Sequence, residues 1–372
     1  MKAITTTIAI MLLAAIVRAT AGFDSGAAAP VAPALLSETG LYAGEGTTRI
    51  DPLNRPFSPQ YPLWTDGATK KRWIRLPAGS AIDATNLSRW EFPIGTKFWK
   101  EFSFDGRKVE TRMLWRVSAD AWVFASYAWN GAQTDATLAP DAGIPGAAEI
   151  APGKRHAIPG IADCRSCHDS ARTEILGFDA LNLSDDRDPN APHGEPLTRE
   201  MITLKTLMND NLIYPKRPEL IETPPRIAAS SAEARAALGY LSTNCGSCHN
   251  RESSIASLGL LLKHTVSGSG PSTGSGPPRA KSRGESREPG SAECTPALAT
   301  TVGKRGHWVV PEAPEESRLI NPGHPESSAI VRRVKSRRPL SQMPPLGSVL
   351  VDKRGLDLLT SWVSTMTVRC SS

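Results

Sequence analysis

The chain has 372 residues, enough for about two domains on length alone, and its 40% hydrophobic and 22% charged content is that of a globular protein. Its 43 basic and 37 acidic residues leave a formal net charge of +6, and no basic patch is interleaved with aromatics, which argues against nucleic acid as a partner. With 31 prolines and 30 glycines, turns and long loops are favoured over a compact helical bundle.

Lys2 precedes the apolar run IAIMLLAAIV (8–17), which is too short to cross a bilayer. ATA (19–21) then has the small-x-small form of a signal-peptidase site. The pattern predicts a signal peptide over 1–21, cleaved after Ala21, and export to a bacterial periplasm. Arg18 keeps an uncleaved anchor as the alternative. No later stretch is long and apolar enough to span a membrane. Residues 22–37, rich in Ala and Pro, predict a flexible leader.

Residues 38–150 hold seven of the nine tryptophans. KRWIRL (71–76), TKFWKEFSF (96–104), VETRMLWRV (109–117) and AWVFASYAW (121–129) alternate apolar with polar or small residues and are separated by turn signals. Asp105-Gly106 predicts a hairpin. The expectation is an antiparallel β domain, sandwich-like by strand spacing. Its density of Trp and Arg suggests an aromatic core flanked by cations rather than a ligand site.

From 151 the pattern turns helical, giving an α+β chain overall. A helix is predicted to open at Cys164, and 197–213 is amphipathic with Met201 and Met208 on its apolar positions. SDDRDPN (184–190) lacks the Gly and Glu of a calcium loop and reads as a solvated loop. Ser231 caps a helix that runs into a second cysteine cluster. Residues 267–293, dense in Gly, Ser and Pro, predict a disordered insert. RRVKSRR (332–338) reads as a solvated basic face, with docking to an acidic redox partner as the functional option. A final amphipathic helix spans 351–366. These patterns divide the chain into 38–150, 151–230 and 231–372.

Four of the six cysteines form two copies of one motif, Cys164-Arg165-Ser166-Cys167-His168 and Cys245-Gly246-Ser247-Cys248-His249. C-x-x-C-H is the signature of covalent haem c. Two thiols one helical turn apart meet the two vinyl groups, and the next residue, His, reaches the iron as proximal ligand. A zinc site built from both pairs would make the two adjacent histidines coincidental. A thioredoxin-like pair would need a βαβ context, which is missing. Cys294 and Cys370 are left over. A mutual disulfide and two free thiols both remain open.

SQMPPLGS (341–348) sets Met343 before two prolines, a rigid way to hold a thioether sulfur over an iron. The order of C-x-x-C-H, long excursion, Met loop and C-terminal helix is that of a class I cytochrome c. Together with PLWTDGATKKRWIRLP (62–77), YAWNGAQTDA (127–136), IPGIADCRSCH (158–168), YLSTNCGSCHN (240–250) and QMPPLGSVLVD (342–352), residues 40–372 resemble a family of exported dihaem c-type cytochromes with an N-terminal β domain. The resemblance implies electron transfer through two covalent haems and redox-protein partners, without naming a substrate. The insert at 267–293 departs from the family pattern.

No Met-Pro-Pro loop follows the first motif. Met201, Met208, His156 and His193 are the candidates for the far side of its iron, and an open position is the remaining case. No G-x-S-x-G, H-E-x-x-H or phosphate-binding glycine loop occurs, so no catalytic residues are assigned. The leading expectation is a periplasmic electron carrier. The alternatives are a dihaem peroxidase-like enzyme with a reactive first haem, and a haem subunit whose β domain binds a partner or substrate.

Overall fold

Alternating side chains between residues 55 and 138 build one antiparallel sheet in a computed structural model that describes residues 30–87, 89–169, 175–266, 294–367 and 370. The expected signal peptide (1–21), leader residues 22–29 and the insert 267–293 lie outside the described residues. The strands are β1 (Arg55–Pro56), β2 (Thr69–Arg75), β3 (Ile82–Asp83), β4 (Lys97–Phe104), β5 (Arg107–Arg116), β6 (Trp122–Trp129) and β7 (Ala136–Leu138). Their order in the sheet is β1-β2-β4-β5-β6-β7, antiparallel throughout. The strands expected at 71–76, 96–104, 109–117 and 121–129 are β2, β4, β5 and β6. Asp105 (φ 47°) and Gly106 (φ 78°) turn the β4–β5 hairpin, the two left-handed positions that a two-residue turn demands.

Among the described residues there is no second large sheet. β8 (Ile144–Ala151) and β9 (Lys154–Ile158) form a separate hairpin, and β10 (Ile213–Tyr214) pairs in parallel with β3. The sandwich-like layout is therefore corrected to a single six-stranded sheet covered by chain on both faces. In-register rows show how. Trp73, Trp99, Met113 and Ala125 face a core completed by Leu36, Leu41 and Tyr42. Ile74, Phe98, Leu114 and Phe124 face the opposite way, onto Phe178, Leu183 and Leu207. The leader expectation fails at its end: Leu36 is fully buried and opens a short 3-10 helix, Leu36–Thr39, because the first of these cores needs its side chain.

The helices are α1 (Ile161–His168), α2 (Leu204–Asn209), α3 (Glu219–Glu222), α4 (Ala232–Asn244), α5 (Pro296–Thr301), α6 (Ala329–Lys335) and α7 (Lys353–Thr365). α1 starts three residues before Cys164, where the Asp163 carboxylate accepts the Gly160 N–H at 3.1 Å, so the motif closes the helix instead of opening it. The helix expected over 197–213 shrinks to α2. Ile202 is drawn into a β-bridge with Phe57, Thr203 caps α2 by accepting from Thr206, and Asn211 (φ 58°) turns the chain away. Ser231 caps α4 as expected, its Oγ accepting from Ala234 N–H at 3.0 Å. Helices α4 to α7 share a core of Leu238, Leu241, Leu298, Val331, Leu359 and Trp362.

Two polar stretches are less solvated than expected. Asp186 and Asp188 of the Asp-rich loop hold the buried Arg235. In the basic run, Arg333 donates to Ser341 O (3.2 Å) and Arg337 to Leu350 O (2.7 Å), binding the loop that follows. Cys294 and Cys370 are joined in a disulfide with Cα atoms 5.9 Å apart. The described residues from Ala32 onward form one compact unit. Among the described residues no helix is long and apolar enough to cross a membrane.

Candidate functional site

α1 packs on β6 and sets the first motif against the sheet. Cys164 is half-buried, packs on the Ile74–Phe98–Phe124 core and hydrogen-bonds Ser126 of β6. Burial pushes its thiol above the usual range. The His168 ring lies 5.4 Å from Phe124, and the Arg165 guanidinium also sits over that ring.

The second motif begins where α4 ends. Cys245 is the C-cap, and His249 N–H donates to Cys245 O at 2.9 Å, one helical turn across the motif. Gly246 fits there because a Cβ would stand 2.3 Å from Ser242 O and 2.7 Å from Lys263 Cα. Burial pushes the Cys245 thiol up to about 12. His249 Nδ1 is buried without a hydrogen-bond partner, and burial, aided by the Arg333 charge, holds the ring pKa below its usual value.

The fold brings the two motifs together. The Cys167 and Cys248 thiols share a hydrogen bond, which together with burial raises Cys167 and, against burial, lowers Cys248 relative to a free thiol. Met343 approaches from α6: its N–H donates to Arg333 O at 2.9 Å, and Arg333 is the charge felt at His249. On the far side of the loop, Asp66 Oδ1 accepts from Val349 N–H (2.7 Å) and Leu350 N–H (2.9 Å). The Met343 segment is therefore pinned at both ends.

Asp66 belongs to a buried polar chain. Its Oδ2 lies 3.5 Å from His156 Nδ1, and His156 Nε2 lies 3.0 Å from Glu110 Oε1. Glu110 in turn accepts from Arg112 Nε at 3.1 Å. Burial alone would lower the His156 pKa, but the two carboxylates outweigh it and raise it. Burial would raise that of Glu110, but Arg112 and His156 outweigh it and lower it.

The four candidates for the far side of a haem at the first motif are dispersed. Met208 lies on α2, buried in the core on which Cys164 packs. Met201 stands outside α2, half-buried. His156 has both ring nitrogens on carboxylates. His193 gives Nε2 to Asp352 Oδ1 at 2.9 Å and lies against Trp64, beside the start of α7.

The feature that sequence reasoning missed is a row of cations under the first motif. The aromatic–cation contacts expected of the β domain are present, with Lys108 4.0 Å from the Trp129 ring centre and Lys97 4.8 Å from that of Trp115. Yet Arg72, Lys100 and Arg112 stand directly opposite one another on β2, β4 and β5, on the face that carries Ser126 and Phe124. Lys70 is two residues from Arg72 on the same face and is also buried. The available signal was Lys70 and Arg72 two residues apart, with Lys100 between Phe98 and Phe102 and Arg112 next but one to Leu114, in strands whose apolar residues already required burial.

No family model, curated protein or solved structure matches the chain. Among the described residues no group of three or more His, Cys, Asp or Glu converges to hold a metal ion. Haem c asks for something different: two thiols one turn apart, one adjacent His and donors for its carboxylates. The residues present fit that demand. Each motif is a helical turn against an apolar core, and His249 Nδ1, Arg72 Nη2 and Trp64 Nε1 are buried donors without partners.

Proposed function

We propose that this protein is an exported dihaem c-type cytochrome that passes single electrons between redox proteins. Cys164 and Cys167 would hold one haem by thioethers with His168 as proximal ligand. Cys245, Cys248 and His249 would hold the other, with Met343 on its far side. Each group, once bound, supplies a one-electron iron couple. The observation that carries the reading is the meeting of two C-x-x-C-H turns at the Cys167–Cys248 contact, with the Met343 backbone held by Arg333, whose charge acts on His249.

The chain's own residues do the rest. Each attachment turn has an apolar core beneath it, with Cys164 packed on one and Cys245 on the other. The Arg333 carbonyl holds the Met343 backbone and Asp66 holds the end of its loop, which narrows the space that the Met343 side chain can reach. His/Met ligation raises a haem's potential relative to other axial sets. The Cys294–Cys370 disulfide accords with an oxidising compartment, which is also where haem c is attached.

Mass spectrometry of the protein recovered from the periplasm tests the reading, with a mass raised by two haems expected. A mass without added haem sinks it. Ferric spectra then separate carrier from enzyme. Two low-spin haems indifferent to cyanide mean electron transfer, whereas a high-spin haem that responds to cyanide means peroxidase-type chemistry.

A further inference from the structure

The sheet face beneath the first motif holds more positive charge than the residues around it balance. Arg72, Lys100 and Arg112 are cross-strand neighbours, an arrangement of like charges that opposes strand pairing. Lys70 adds a fourth cation on the same face. Two carboxylates touch the group. Glu195 bonds Arg72 at 3.1 Å, and Glu110 is shared between Arg112 and His156. Arg72 is 5% exposed and its Nη2 has no hydrogen-bond partner. Among the described residues Lys70 and Lys100 make no hydrogen bond or ion pair, and the Lys100 ammonium rests over the Phe102 ring at 4.9 Å. Uncompensated charge in a protein interior is costly. Its effect is visible in both lysines: burial lowers the Lys70 pKa to about 7 and holds that of Lys100 well below its usual value.

The row has a direction. It starts at Ser126, the Cys164 partner, and crosses Arg112 and Lys100 to Arg72, so it runs about 14 Å over three strand spacings. Arg112 also lies close enough for its charge to act on both thiols of the motif. In haem c the two propionates leave the ring on the side away from the thioethers. A group tethered at Cys164 and Cys167 thus has its carboxylates to place some way along this face.

We propose that Lys70, Arg72, Lys100 and Arg112 form a carboxylate-binding face that takes the two propionates of the haem attached at Cys164 and Cys167. This rests on the haem reading given above. The β sheet is then the electrostatic floor of the first haem site. Two carboxylates would bring the four cations to balance.

The test uses the exported holoprotein and its Lys70→Met, Lys100→Met and Lys100→Arg variants. Haem content is read by mass and both midpoint potentials by spectroelectrochemistry. Removing a cation that neutralises a propionate favours ferric iron. One midpoint should therefore move to more negative values in Lys70→Met and Lys100→Met, the other should stay, and Lys100→Arg should keep both. Since Lys70 and Lys100 lie on different strands, misfolding of one variant leaves the other to decide.

Two haems present with both midpoints unmoved in the Met variants overturns the assignment while leaving the cytochrome reading intact. A wild-type mass with no haem overturns both. Inorganic phosphate is the probe for a free anion. If it raises the thermal midpoint of the wild-type holoprotein but not of Lys100→Met, the face takes a soluble oxyanion and the propionate assignment falls.

Discussion

On the dihaem reading proposed above, Met343 is one of the residues on which the chemistry depends most directly. Its backbone is fixed by Arg333 on one side and the following loop by Asp66, so truncating the side chain should leave the fold in place. In Met343→Ala, the second haem should lose the thioether signature in its absorption spectrum and its midpoint potential should drop, while haem content by mass is unchanged. An unaltered potential would remove Met343 from the ligand set. A second residue tests packing rather than chemistry. A Cβ on Gly239 of α4 would stand 2.1 Å from the ring of Tyr61, which is itself 2% exposed. Gly239→Ala should lower stability in a denaturant titration by about 1–3 kcal/mol, the usual cost of overpacking. At this scale the motif residues were legible, because C-x-x-C-H and Met-Pro-Pro are local patterns with local chemistry. Lys70, Arg72 and Lys100 were not. A cation looks the same in sequence whether its strand faces water or a covered face, and only the register of β2, β4 and β5 shows that these three share a buried side.

Among the elements, α7 shows how a helix end ties distant parts of the chain together. Its N-cap Asp352 accepts from Gly355 N–H at 3.0 Å and from His193 Nε2. Burial alone would raise the Asp352 pKa, but the His193 and Gly355 hydrogen bonds outweigh it and hold it below the usual 3.8. A carboxylate depressed on folding contributes stability above its unfolded pKa and loses it as pH falls through the folded value. Asp352→Asn keeps a good cap but weakens the charge-assisted His193 hydrogen bond; it should therefore cost about 1.5 kcal/mol at neutral pH, and the gap between variant and wild type should close below pH 3.8 in thermal unfolding. The strands and the two long helices α4 and α7 were legible, because periodicity and caps agreed over many residues. The 197–213 segment was overread. Its apolar positions fit a helix, yet Ile202 contributes to a bridge with Phe57 and Asn211 breaks the chain direction, both dictated by partners far away in sequence. The sandwich was overread for a similar reason. Strand spacing sets how many strands there are and leaves open whether a second sheet or irregular chain covers them.

The whole molecule depends on long-range ties. Cys294 and Cys370 close a loop of 76 residues around the Met343 segment, α6 and α7. Replacing both by serine should lower stability by about 2–4 kcal/mol in denaturant unfolding, with haem content by mass retained. A double variant as stable as the wild type would show the bridge to be incidental. Sequence left that pairing open because spacing does not fix connectivity. It also suggested three successive regions, whereas the residues of the proposed site are drawn from all of them: Asp66 and Arg112 from the first, Cys164 and His156 from the second, Cys248 and Met343 from the third. The clasp between Asp66 and the amides of Val349 and Leu350 carries a practical lesson. Someone excising residues 231–372 as a portable electron carrier would cut away the acceptor that steadies the Met343 loop. A transplanted module would need a substitute carboxylate built in, or it would arrive with its sulfur on a slack tether.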